Sequence, residues 1–140
     1  MKPLLEWTVI GAGPAGIASI GKLLDAGVTP TDILWIDPYF TVGDFGTSWR
    51  YVNSNTAVEY FLNFYLQCEA FHYNSQAHPP FMIDQVPPTK SCPLMLAAQP
   101  LLWMTECLSQ QVNVLKDTVT GLIPTNHHWQ LQLSSKKQLL

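Results

Sequence analysis

Apolar and polar positions fall into blocks along the chain, and the blocks predict its elements. Residues 4–10, LLEWTVI, form a short apolar run that ends at Gly11, the pattern of a buried strand. Residues 14–26, PAGIASIGKLLDA, place Ile17, Ile20 and Leu24 on one face with Ala18 and Gly21 as small spacers, which predicts a helix. Pro14 suits the first turn of that helix, where its missing N–H costs nothing, and Gly27 suits the C-terminal end. Residues 33–37, ILWID, predict a second strand, closed by Pro38. A right-handed crossover through the helix makes the two strands parallel neighbours.

Farther along the pattern is less regular. Residues 38–56 read as a long polar and aromatic loop, and residues 57–70 as a helix with Val58, Phe61, Leu62, Tyr65 and Leu66 on its apolar face. The helical spacing of Tyr60, Phe61, Phe64 and Tyr65 marks that aromatic cluster as core. Residues 71–92 are rich in proline and read as an extended excursion. Residues 93–110 predict one or two helices, with a kink or break where Pro100 disfavours the helical state of Gln99. Short strand-like runs follow at 112–115, 118–123 and 128–133, the last alternating like a half-solvated antiparallel strand.

Composition narrows the classes. In 140 residues there are 7 Lys and Arg against 10 Asp and Glu, so no basic face is available for nucleic acid. Only 12% of residues are charged while 47% are hydrophobic, which describes a folding chain with faces to be covered by a cofactor, a domain or a partner. Cys68, Cys92 and Cys107 are widely spaced and contain no CxxC pair, as scattered free thiols in a reducing cytosol would be. The uncharged run from Trp7 to Gly21 is too short and too rich in glycine for a membrane span, and Pro93 to Met104 is short and broken by Gln99 and Pro100. The expectation is a soluble, cytoplasmic protein.

The candidate chemistry lies in Gly11-Ala12-Gly13-Pro14-Ala15-Gly16, a G-x-G-x-x-G string between the first strand and the first helix. Gly11 permits the tight turn, Gly13 leaves room for a pyrophosphate against the backbone, and Gly16 lets helix and strand pack closely. The helix N-terminus offers free N–H groups and the positive end of its dipole. Asp37 ends the second strand about 20 residues farther on, where an acid accepts hydrogen bonds from an adenosine ribose. The plainer alternative for Asp37 is an ordinary Asp-Pro turn. Together these features predict an α/β, Rossmann-like dinucleotide-binding domain with a parallel sheet, a crossover helix, a helical insertion and a C-terminal β-meander.

The strings TVIGAGPAGIAS, ILWIDP and GTSWRYVNSNT resemble the N-terminal FAD-binding region of flavoproteins with two dinucleotide-binding domains, and within them the flavin-containing monooxygenases. The resemblance implies FAD as cofactor and NAD(P)H as co-substrate of a complete protein. It places Gly11, Gly13, Pro14, Ala15, Gly16, Asp37, Gly46, Trp49 and Arg50 at the cofactor. In that family two glycines follow the acid, then a Trp and often an Arg; here the second glycine is Thr47, and the acid is Asp where Glu is commoner. Asn55, in the string Asn55-Thr56, matches an Asn that lies near the flavin ring and supports its reaction with oxygen. Asn55 also has plainer alternatives, as a turn residue or a cap of the 57–70 helix. Trp49 has partial core as its alternative, and Arg50 a solvated position.

Other signals are weak. His72, His78, His127 and His128 have no metal-like spacing, so no metal is expected. Ser48 and Ser75 sit in no G-x-S-x-G elbow, and there is no G-x-x-x-x-G-K-[ST] string. The absence of any cysteine between Asp37 and Cys68 excludes the disulfide-reductase branch. The family's second glycine fingerprint and its late Gly-Asp motif have no counterpart, so residues 1–140 are expected to form a single, truncated FAD- or NAD(P)-binding domain. An uncovered edge on the first strand then becomes a site for self-association or a partner. Three functional expectations follow: an FAD-binding domain of a monooxygenase-like oxidoreductase, inactive or poorly active as this chain alone; a non-catalytic dinucleotide- or partner-binding module; and an NAD-binding dehydrogenase domain, for which no Tyr-x-x-x-Lys exists.

Overall fold

The computed structural model describes residues 4–73, 81–135 and 138–139; Ser75 and His78 lie outside them. Strand β1 (Trp7–Ile10) leads through the glycine string into helix α1 (Pro14–Asp25), which returns to strand β2 (Ile33–Ile36). The two strands are parallel, with Trp7 opposite Ile33 and Ile10 opposite Ile36. The chain then runs through β3 (Asn53–Ala57), α2 (Val58–Tyr65), β4 (Ser91–Pro93) and α3 (Leu94–Ser109) to β5 (Asn113–Leu115). Three antiparallel strands follow, β6 (Val119–Pro124), β7 (Trp129–Leu133) and β8 (Gln138–Leu139).

β2 is the centre of the molecule. The main sheet has the order β1-β2-β5, and β5 is parallel to β2. Alternate side chains of β2 leave opposite faces of the sheet. Ile33 and Trp35 join a core with Ile17 and Ile20 of α1 and Leu101, Met104 and Leu108 of α3. Leu34 and Ile36 join a smaller core with Leu131 and Leu133 of the meander. Coverage on both faces explains why ILWI is a continuous apolar run rather than an alternating one. β1, by contrast, is paired on one side among the described residues, and its Trp7 and Ile10 are exposed.

Several elements depart from the sequence expectations. The run at 112–115 belongs to the parallel sheet and not to the meander; Asn113 fixes it there, donating from Nδ2 to the carbonyls of Thr31 at 2.8 Å and Ile33 at 3.1 Å. The loop 38–56 and the excursion 71–92 each end in a short strand, and these two pair antiparallel as β3 and β4. α2 stops at Tyr65. A separate 3-10 turn, Glu69–Phe71, begins where Asp25 accepts the backbone N–H groups of Glu69 and Ala70. Leu66 therefore falls beyond the helix and is exposed, as is Tyr60, whereas Tyr65 is buried and donates its hydroxyl to the Ala97 carbonyl at 2.8 Å.

α3 runs unbroken across Pro100. The proline forfeits one helical hydrogen bond, a cost of about 3 kcal/mol in a helix interior. Pro100 is buried in the same helix as Ala97, Leu101, Met104 and Leu108, and burying side chains of that size is worth about 1.5–3 kcal/mol each for the larger ones. Packing thus outweighs the local preference. No helix of the described residues is long and apolar enough to cross a membrane.

Candidate functional site

The site is built where β1 ends against β2. Gly11 has φ +105°, a conformation that side-chain-bearing residues rarely adopt, and its N–H donates to the Ile36 carbonyl at 2.7 Å. The next peptide group is held at both poles. The Gly11 carbonyl accepts from the Trp35 indole Nε1 at 2.8 Å, and the Ala12 N–H donates to Asp37 Oδ1 at 2.9 Å. Trp35 and Asp37 are two residues apart on an extended strand, so both reach the same side of it.

The three glycines of the string do different work. A Cβ on Gly16 would lie 1.9 Å from the Gly11 carbonyl oxygen, so a side chain there is impossible without moving the backbone. A Cβ on Gly13 would meet nothing nearer than the Val42 carbonyl oxygen at 4.0 Å. The space above Gly13 is therefore left open by the protein itself. Gly13 is the N-cap of α1, no side chain caps the helix, Pro14 occupies its first turn, and that turn carries no acidic residue. Nothing in that turn competes electrostatically with an anion at this end of the helix dipole.

Asp37 is nearly buried, and its carboxylate is already engaged. Oδ1 accepts from Ala12, and Oδ2 accepts from the N–H groups of Tyr39 at 2.9 Å and Phe40 at 2.7 Å. A carboxylate has about four lone-pair positions, so one acceptor position remains, on Oδ1. Asp37 thus fastens the glycine string and starts the following turn, and it retains room for a single hydroxyl donor.

The loop after β2 forms the second wall. Phe40, Val42 and Gly43 all have positive φ, at 54°, 64° and 56°. For a β-branched residue such as Val42 this is a strained conformation, held because its side chain is buried. Gly43 approaches the glycine string so closely that a Cβ on it would lie 3.3 Å from the Gly13 Cα. The sequence pointed instead to Gly46. That glycine serves its own loop: a Cβ there would sit 1.9 Å from the Thr41 carbonyl oxygen. Gly43, Val42 and Trp35 also pack around the glycine string, and the sequence does not single them out. Gly43 could have been found as a glycine in the loop directly after the acid; nothing in the sequence flags a left-handed valine.

The remaining candidates stand apart from these contacts. Thr47 donates its hydroxyl to the Gly43 carbonyl at 3.0 Å. Trp49 is half exposed, and the exposed Arg50 stacks on the Tyr51 ring at 5.1 Å. Asn55 is exposed where β3 slips register against β4. It does not cap α2, whose N-cap is Ala57 without a side-chain bond. Cys68, Cys92 and Cys107 are free, and burial pushes all three thiols above their ordinary pKa.

A parallel sheet entered through a glycine turn, with a crossover helix between its first two strands, defines the α/β, Rossmann-like fold class. The comparisons with known proteins refine that class. No family model matches the chain. The monooxygenase AgnR1 of Paecilomyces divaricatus is 51% identical over 53 residues, which are 38% of this chain and 13% of that protein. Among solved structures, OTEMO in complex with FAD and NADP superposes over 99% of this chain and 24% of its own, with a TM-score of 0.64 and 16% identity. The Diels-Alderase PyrE3 of pyrroindomycin biosynthesis covers 95% of this chain and 30% of its own, with a TM-score of 0.56 and 15% identity. QhpG, a peptidyl tryptophan dihydroxylase essential for tryptophylquinone cofactor biogenesis, covers 98% and 30%, with a TM-score of 0.51 and 16% identity. The fold is flavin-monooxygenase-like, and the chain spans less than a third of the length of each of these proteins.

Proposed function

We propose that this chain is the FAD-binding part of a flavin-dependent, monooxygenase-like oxidoreductase. The observation that carries the reading is the open space over Gly13 at the uncapped start of α1, beside the bonded carboxylate of Asp37. An adenine dinucleotide fits that donor set. Its pyrophosphate lies against the Gly13 backbone and takes the backbone N–H groups of the first turn of α1, around Ala15 and Gly16, while Pro14 presets that turn. The remaining acceptor position of Asp37 takes one ribose hydroxyl. The loop through Val42 and Gly43 closes the second side of the phosphates. Gly46 shapes that loop, and Trp49, Arg50 and Asn55 flank the flavin end.

Bound flavin supplies hydride acceptance from NAD(P)H and reaction with oxygen; the protein supplies binding and orientation. The same fold in OTEMO, a protein solved with both FAD and NADP, supports an adenine dinucleotide at this site, and the reading takes FAD as the resident one. The test is a visible absorption spectrum of the purified chain incubated with FAD and then desalted. A flavin spectrum that survives desalting in the wild type and is lost in Gly13→Ala supports the reading. A folded, colourless wild type that ignores FAD sinks it and leaves a non-catalytic interaction module. Asp37→Ala is a poorer probe, because it also strips an acceptor from three backbone N–H groups.

A further inference from the structure

Trp35 lies in the middle of β2, on the face that joins the larger core. Its ring is fully buried and packs edge-on against Phe40, with centroids 5.2 Å apart. An indole differs from other core side chains in carrying a donor that must find an acceptor when buried. Here the acceptor is the carbonyl of Gly11, the residue that turns the chain out of β1. The same nitrogen lies 3.5 Å from where a Cβ on Gly16 would be, so the indole edge borders the close approach of Gly16 to the Gly11 carbonyl. The N–H therefore bonds the string at its first glycine, beside the place where the third packs against it.

We infer that Trp35 is a positioning residue of the dinucleotide site; this rests on the reading of Gly11–Gly16 as the cradle. Gly11 has no side chain to restrict its φ and ψ, so side-chain sterics do not fix how the following peptide group faces. Two bonds determine it, one from Trp35 to the carbonyl and one from the amide to Asp37. With both in place the Gly11–Ala12 peptide has one orientation, and Gly13 and the first turn of α1 are delivered to a fixed place. Without the indole donor the carbonyl is unpaired and the peptide is held at one end. The binding-competent arrangement is then only part of the population, and apparent affinity falls by that fraction.

The experiment replaces Trp35 with 3-benzothienylalanine, which keeps the bicyclic shape and lacks the N–H; Trp35→Phe is the genetically encoded companion. ADP is titrated calorimetrically into the full chain, and 15N shifts are recorded without ligand. The expected result is ADP affinity weakened roughly five- to tenfold, with the ligand-free shifts changing at Gly11, Ala12 and Gly13 and persisting elsewhere. Ile83→Val, a trimmed core residue away from the string, is expected to keep the wild-type ADP affinity; this separates positioning from general loss of packing. Unchanged affinity in the benzothienyl protein, or an equal loss in Ile83→Val, overturns the inference and leaves the dinucleotide reading standing. No ADP binding by the wild type overturns both.

Discussion

Two stretches of this chain carry the residues a dinucleotide would need, and they are held in opposite ways. Residues 11–16 are bonded to the central strand at three points, through the Ile36 carbonyl, the Trp35 indole and the Asp37 carboxylate. Residues 46–55 are largely exposed, and their bonds run mostly to near neighbours, such as Trp49 N–H to the Asp44 carbonyl at 2.8 Å and Arg50 over Tyr51. The first stretch is pre-organised by the core. The second is shaped by its own turn. Change in the second is therefore expected to disturb the first less than the reverse.

Substitutions sharpen this difference, beginning with the most disruptive. Gly16→Ala drives a Cβ into the Gly11 carbonyl, and backbone on both sides must move. We expect a loss of about 3 kcal/mol or more, read as a large fall in the denaturant midpoint or failure to fold. Gly46→Ala meets the Thr41 carbonyl at the same 1.9 Å, but in an exposed loop that can give; about 2 kcal/mol is expected by the same measurement. A smaller effect at Gly16 than at Gly46 would break the comparison.

Gly13→Ala separates binding from stability. Its φ of −77° suits alanine and its Cβ has room, so the cost is that of a poorer N-cap, about 0.5 kcal/mol. The new methyl group enters the space assigned to the pyrophosphate, and ADP affinity is expected to fall about tenfold or more in calorimetry. Arg50→Ala and Asn55→Ala are expected to be the mildest, each within about 1 kcal/mol in stability and without effect on ADP affinity. A fall in FAD affinity in either, with ADP affinity intact, assigns the second stretch to the flavin end.

Legibility in the sequence follows the same division. β1, α1 and β2 could be read because their signals are local: a glycine turn, a proline at the helix start and an apolar run closed by Asp-Pro. Asp37 was legible as the acid closing the second strand, but its three backbone partners were not, since they depend on how the loop at 39–42 folds back. β3 and β4 escaped because each is short, polar in part and stabilised only by a partner far away in sequence. β5 could be read as a strand but not placed, because VNVL carries no sign of its register; it pairs parallel with β2, where Asn113 reaches back to Thr31 and Ile33. α3 shows the reverse error, in which a strong local signal at Pro100 is overruled by burial.

The most direct test of the central claim is a 15N chemical-shift titration of the wild-type chain with ADP. Saturable shifts are expected at Ala12, Gly13, Ala15, Gly16 and Gly43, with residues 47–55 little affected. Absence of saturable shifts at the glycine string, or shifts confined to residues 47–55, would contradict it.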